Sequence, residues 1–268
     1  MKREAMLFLV AVQFLTRLPV PTLAGFELSW LSQSARYFPL VGTLVGLANV
    51  AVWWLSSLIF PPAVAIGLMM CASLLVTGAF HEDGFADACD GFGGGRSPTA
   101  VLAIMKDSRV GAYGAIGIAM MLGLKWTVLT HLSPAIFAVV VAAAHTSSRW
   151  CATALMWQLA YVRADQDAKS KPLADNLNGK DWALSGALGA LAILCLILVI
   201  SPESMRRSSL LLLAALGVSL VSTFLSGAYF KGRIGGYTGD CLGATQQLAE
   251  LCFLLTALGV SALSLPEG

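Results

Sequence analysis

Asp83, Asp87 and Asp90 recur at i, i+4 and i+7 in the stretch HEDGFADACDGFGGG, His81 to Gly95, which sets three carboxylates on one face of a helix. Like charges at helical neighbours repel one another. A cation seated on the face relieves that repulsion, and all-oxygen ligands of this kind suit a hard ion such as Mg²⁺ or Mn²⁺. The competing account is a solvated acidic loop at a membrane edge, which needs neither this period nor the glycines that accompany it. Gly84 and Gly91 leave room for a ligand or a neighbouring helix, and Gly93, Gly94 and Gly95 end the helix. Glu82 lies about 100° around from Asp83 and is expected to point away from the face. His81 is either a proton shuttle or a capping or interfacial histidine.

Basic residues that suit phosphate follow the acidic ones. In IMKDSRVGAYG, Lys106 and Arg109 flank Asp107; such donors bind phosphate oxygens, and arginine can grip two at once. Ordinary anchoring charge is the alternative, and the adjacent Gly111 and Gly114 favour the phosphate reading. In KGRIGGYTGDCLGATQQLAE, Lys231 and Arg233 precede a Gly-Gly turn, and Asp240 opens the last apolar segment. Asp240 either caps that helix or lends a carboxylate to the metal site. Glu250 is the one acidic residue inside that segment and is taken as functional by default. Arg149, in HTSSRWC with His145 four residues earlier, lies inside an apolar run, where an arginine faces a cavity or a carboxylate. Lys125 is read as sitting near the far end of its segment and snorkelling to the interface.

The elements that hold these residues are membrane helices. Of 268 residues, 57% are hydrophobic and 12% charged, against about 25% charged in a soluble domain. The mean hydropathy of +0.76 is spread along the chain. The expectation is an all-α fold: a polytopic transmembrane helical bundle, residues 1–268 forming a single integral membrane catalytic domain. About seven spans are expected, at 38–60, 62–80, 110–130, 134–160, 182–200, 208–229 and 241–263. The run from Ala5 to Leu15 is too short to cross and is read as an interfacial or re-entrant helix kept in the mature protein. The six cysteines have no zinc or redox spacing and read as reduced thiols. A net charge of +2, with the basic residues scattered, argues against nucleic acid.

Charge orients the bundle. Eleven lysines and arginines fall on the side of the 81–109 connection, and two, Arg206 and Arg207, on the other. The positive-inside rule therefore puts the acidic stretch on the cytoplasmic side of the inner (plasma) membrane, where nucleotides and Mg²⁺ are found.

With these residues in view, the chain resembles the cobalamin synthase family (adenosylcobinamide-GDP ribazoletransferase). QFLTRLPVP, HEDGFADACDGFGGG, IMKDSRVGAYG and GGYTGDCLGA are similar to that family's successive motifs, in order, over most of the chain. The resemblance implies a Mg²⁺-dependent membrane transferase that joins adenosylcobinamide-GDP to α-ribazole or its 5′-phosphate with release of GMP. It assigns Asp83, Asp87 and Asp90 to the acidic motif, Lys106, Asp107 and Arg109 to the second, and Asp240 and Glu250 to the C-terminal one. The resulting expectation is a metal held by Asp83, Asp87, Asp90, Asp240 and Glu250. The three aspartates and His81 act in catalysis, and Lys106, Arg109, Arg149, Lys231 and Arg233 bind substrate. A homo-oligomer is left open.

Two other readings compete. CDP-alcohol phosphotransferases pair D-x-x-D-G with a later D-x-x-x-D; Asp87-x-x-Asp90-Gly91 fits the first half, but no second half follows. A membrane ion transporter, with Asp87, Arg149 and Glu250 as its path, calls for paired sites in inverted repeats. None is visible. A purely structural subunit leaves the acidic face unexplained.

Overall fold

The computed structural model describes residues 3–21, 27, 29–163, 177–200 and 205–263. These fold into α-helices with no β-strand among them: α1 (Arg3–Leu15), α2 (Ser29–Ser34), α3 (Phe38–Ser57), α4 (Pro62–Thr77), α5 (Phe80–Gly94), α6 (Pro98–Lys106), α7 (Ala112–His131), α8 (Pro134–Gln158), α9 (Gly179–Ile200), α10 (Met205–Ile234) and α11 (Gly239–Leu263). A single 3₁₀ turn, Ala35–Tyr37, joins α2 to α3. The chain is thus an all-α multi-pass membrane protein.

Proline opens several helices where its missing N–H and fixed φ are harmless: Pro62 in α4, Pro98 in α6 and Pro134 in α8. In α6 the Ser97 hydroxyl also accepts from the Ala100 N–H at 3.2 Å, a side-chain N-cap. Short turns at 58–61 and 132–133 join α3 to α4 and α7 to α8, so both turns lie at one end of the bundle. The end of α4, the starts of α7 and α11 and the end of α8 gather at the other.

Among the described residues, six helical segments are long and apolar enough by themselves to span a membrane, and they coincide with six of the seven expected spans. The seventh, expected at 62–80, falls on α4 and α5, which are long and apolar enough only when taken together, as one span broken by a bend. Helix α4 has 16 residues, about 24 Å, and falls short of the ~30 Å hydrocarbon core. Two successive residues in the left-handed region, Gly78 at φ 65° and Ala79 at φ 54°, stop it and turn the chain by 88° into α5. A side chain at Gly78 would also strike the Arg17 guanidinium, and the Arg17 N–H donates to the Val76 carbonyl at 2.7 Å. Helix α5 carries four carboxylates, which are costly in hydrocarbon, and it packs against α11.

Helix α8 is the axis. It packs against α3, α9, α10 and α11, and 78% of its apolar window is buried. Apolar clusters occupy both ends of the bundle, one around Leu7, Val41, Met105 and Tyr237, the other around Ile66, Phe137, Val140 and Phe253. Between them lies a polar layer that includes Asn49, His145, Arg149, Gln246, Gln247 and Glu250, all buried. Helix α1 joins the first cluster through Leu7, Val10, Ala11 and Leu15. All six cysteines are free thiols.

Candidate active site

The site is built where α5 crosses α11. Gly84 and Gly243 face each other there: a Cβ on Gly84 would come within 3.1 Å of the Asp240 Cα and 3.4 Å of the Gly243 Cα. Without those side chains the backbones touch, and Asp240 is set beside the first turns of α5. Asp83 is exposed, Asp87 half-buried and Asp90 buried, so the carboxylates descend from the mouth into the protein. Burial, Asp240 and Asp83, in that order, push the Asp87 carboxyl up to about 7, partly offset by Arg163.

Asp90 has a defined task. Its two oxygens accept the N–H groups of Gly111, at 2.7 Å, and Gly114, at 2.8 Å. Asp90 therefore caps the N-terminus of α7 from another helix, where the positive end of the dipole favours a carboxylate. A Cβ on Gly111 or Gly114 would run into that carboxylate, which explains why both positions are glycine. At the start of α11 the Thr238 hydroxyl accepts the Cys241 N–H at 3.3 Å and serves as the cap, leaving Asp240 to face α5. Asp240 pairs with Arg163, Nη2 to Oδ2 at 3.0 Å, and the same nitrogen donates to the Met105 carbonyl at 3.1 Å. Arg163 is fixed by main-chain pairing of its segment with the α10–α11 turn. The Val162 N–H donates to the Tyr237 carbonyl, and the Tyr237 N–H to the Ala160 carbonyl, each at 3.0 Å.

Other expected site residues are dispersed. Arg109 is 86% exposed and folds onto Asp107, Nη2 to Oδ2 at 2.6 Å; this pairing holds the Asp107 carboxyl down to about 2. Lys106 and Lys231 are exposed on the last turns of α6 and α10. Arg233 is a clip: it donates to the carbonyls of Gly95, at 2.8 Å, and Phe92, at 3.4 Å, and lies over the Phe92 and Tyr229 rings. His81 is buried and lines a cavity of about 40 Å³ beneath α5 with Arg149, away from Asp83.

Glu250 does not join the aspartates. It lies ten residues beyond Asp240 on α11, about 15 Å deeper. There it takes Lys125 on one oxygen and Gln246 on the other, each at 2.6 Å, with His145 Nδ1 at 3.4 Å. The reading of Lys125 as a snorkelling residue is thereby corrected, because a buried carboxylate in the same layer gives its ammonium an internal partner. Gln247 extends the network, accepting from Lys125 at 2.7 Å and donating to Glu82 at 2.9 Å. Arg149 donates to the His145 carbonyl at 3.0 Å, while its Nε has no partner among the described residues.

Sequence reasoning missed Arg163, which it counted only as loop charge, and the Gln246-Gln247 pair. Two adjacent glutamines inside an apolar segment were the available signal for the second; nothing local marked the first.

Among the described residues, no three His, Cys, Asp or Glu side chains form a ready-made metal cage. The open face of Asp83, Asp87 and Asp240 nonetheless fits Mg²⁺. That ion is usually held by one or two carboxylates, with substrate phosphates and water completing its octahedron.

The model of the cobalamin-5-phosphate synthase family matches residues 7–258. The chain belongs to that family. Curated relatives of this cobalamin-5-phosphate synthase family member match it over more than nine-tenths of its length. An adenosylcobinamide-GDP ribazoletransferase of Shewanella frigidimarina is 43% identical over 261 residues, 96% of either chain. Enzymes of the same name from Leptothrix cholodnii and Ralstonia pickettii are 44% and 43% identical, covering 94% and 91% of either chain. No solved structure matches. The part matched by the cobalamin-5-phosphate synthase model contains every residue described above, from His81 to Glu250.

Proposed function

We propose that the protein transfers the adenosylcobinamide phosphoryl group of adenosylcobinamide-GDP to α-ribazole or its 5′-phosphate, with Mg²⁺, at the mouth formed by Asp83, Asp87 and Asp240. A ribose hydroxyl of the acceptor attacks the phosphorus on the cobinamide side of the diphosphate. One phosphorus–oxygen bond forms, the bond to GMP breaks, and the hydroxyl proton passes to a carboxylate of this face. Bound there, Mg²⁺ supplies charge neutralisation on the diphosphate oxygens.

The observation that carries this reading is the convergence of Asp83 and Asp87 with Asp240, from a separate helix, at one end of a membrane bundle. The carboxylates offer only hard oxygen donors, and Arg109, Lys106 and Lys231 lie at the same end to meet phosphate. The lysine and arginine asymmetry supports the reading that this end faces the cytoplasmic side of the inner membrane. Arg149 lies beneath α5 and acts from below the mouth.

Full-length protein in detergent, given adenosylcobinamide-GDP, α-ribazole and Mg²⁺, is expected to release GMP. A CDP-activated lipid with an alcohol acceptor is expected to give no product. Asp83→Ala should abolish turnover with the protein still folded, and near-normal synthesis by that variant would falsify the assignment.

A further inference from the structure

We propose that Arg163 is a substrate-binding residue held in reserve by Asp240: the divalent cation and the Arg163 guanidinium compete for the same carboxylate, and cation binding turns the arginine over to the diphosphate. The inference rests on the metal reading above and extends it to a residue that reading does not use.

Three observations carry it. The first is the pair itself, with Arg163 Nη2 and Asp240 Oδ2 3.0 Å apart. A guanidinium that binds a carboxylate in this geometry is also matched to a phosphate, which presents a similar pair of anionic oxygens, and a diphosphate offers two such groups. The second is position. Asp240 abuts Gly84 between Asp83 and Asp87, and Arg163 bears directly on the Asp87 charge, so the arginine stands inside the carboxylate mouth. The third is that Arg163 is only partly committed. Its side-chain bonds to the described residues both leave from Nη2, and one goes to a neutral carbonyl of Met105. A guanidinium has five N–H donors, and the side chain retains 19% exposure.

The electrostatics make the exchange favourable in sequence. Without a cation, Arg163 is the counter-charge that keeps Asp240 tolerable beside Asp83 and Asp87. A divalent ion on this face supplies twice the charge to the same oxygens and leaves the guanidinium without its carboxylate. A diphosphate arriving on that ion then brings fresh anionic oxygens to within reach of Arg163. The Tyr161–Tyr237 bridge keeps the arginine's backbone in place throughout, so only the side chain moves.

The test separates this role from a structural one because it predicts opposite shifts. Mn²⁺ binding to the full-length protein in detergent, without substrate, is followed by electron paramagnetic resonance. Arg163→Gln is expected to bind Mn²⁺ about tenfold more tightly and to show a KM for adenosylcobinamide-GDP about tenfold higher at saturating metal. Arg163→Lys keeps the charge but not the fork, and it should sit between wild type and Arg163→Gln on both measures. Weaker or unchanged Mn²⁺ binding in Arg163→Gln overturns the proposal while leaving the metal reading intact. Absence of Mn²⁺ binding to the wild-type protein overturns the metal reading, and this proposal with it. If Arg163→Gln does not fold, Arg163→Lys carries the same test, and unchanged affinity for both ligands overturns the proposal.

Discussion

Lys125 Nζ lies 2.6 Å from Glu250 Oε1 deep in the bundle, with the two side chains 6% and 8% exposed. The pair links α7 to α11, and through Gln247 and Glu82 it reaches α5, the helix that carries the acidic face. Removing one partner leaves an uncompensated buried charge, which costs about 3–5 kcal/mol, whereas replacing both with apolar residues of similar volume is close to neutral. Lys125→Met and Glu250→Met should each lower the thermal unfolding midpoint in detergent, and the double substitution should recover most of the loss. An additive double variant would show that the two charges do not depend on each other.

Asp90 and Asp83 belong to one motif but should fail in different ways. Asp90→Ala removes two acceptors from the start of α7, a loss of about 0.5–2 kcal/mol by analogy with helix caps. Its activity should fall together with its stability, and Asp90→Asn, which keeps one acceptor oxygen, should recover part of both. Gly114→Ala should resemble Asp90→Ala, because the added methyl strikes the same carboxylate. Asp83→Asn is expected to lose turnover at unchanged unfolding temperature, since its side chain is exposed.

Asp87 gives a pH signature. Its carboxyl is raised from 3.8 to about 7 in the folded protein, mainly by burial and then by Asp240 and Asp83. A raised carboxylate favours the folded state while it is protonated. That contribution is complete below pH 3.8 and is lost as pH rises through about 7. In chelator, the unfolding midpoint should therefore drop between about pH 4 and about pH 7, and Asp87→Asn should flatten the change. Added Mg²⁺ should restore stability most at the alkaline end, because a cation prefers the ionised carboxylate.

Arg109 and Asp107 form an exposed pair within one loop, and exposed pairs contribute little to stability. Arg109→Ala should leave the unfolding midpoint unchanged and raise the KM for the diphosphate substrate, about tenfold for the loss of a charge-assisted phosphate contact. The Asp107 carboxyl, held down to about 2 by Arg109, stays ionised until pH falls into that range. Loss of activity between neutral pH and about pH 4 is therefore not expected to come from this pair.

Apolar composition and segment length determined the all-α membrane architecture by themselves, because a backbone inside hydrocarbon must satisfy its own hydrogen bonds. The i, i+4, i+7 spacing likewise placed Asp83, Asp87 and Asp90 on one side of α5, since a helix repeats every 3.6 residues. Only the tertiary structure decided which carboxylates stay together. Asp90 is drawn off to the start of α7, Glu250 is claimed by Lys125, and Asp240 is brought to α5 by the Gly84–Gly243 contact. Arg163 enters through the pairing of Ala160 and Val162 with Tyr237, which no local pattern announces. Spacing along one helix fixes direction around its own axis, but a partner on another helix is set by packing, and packing depends on the whole chain at once.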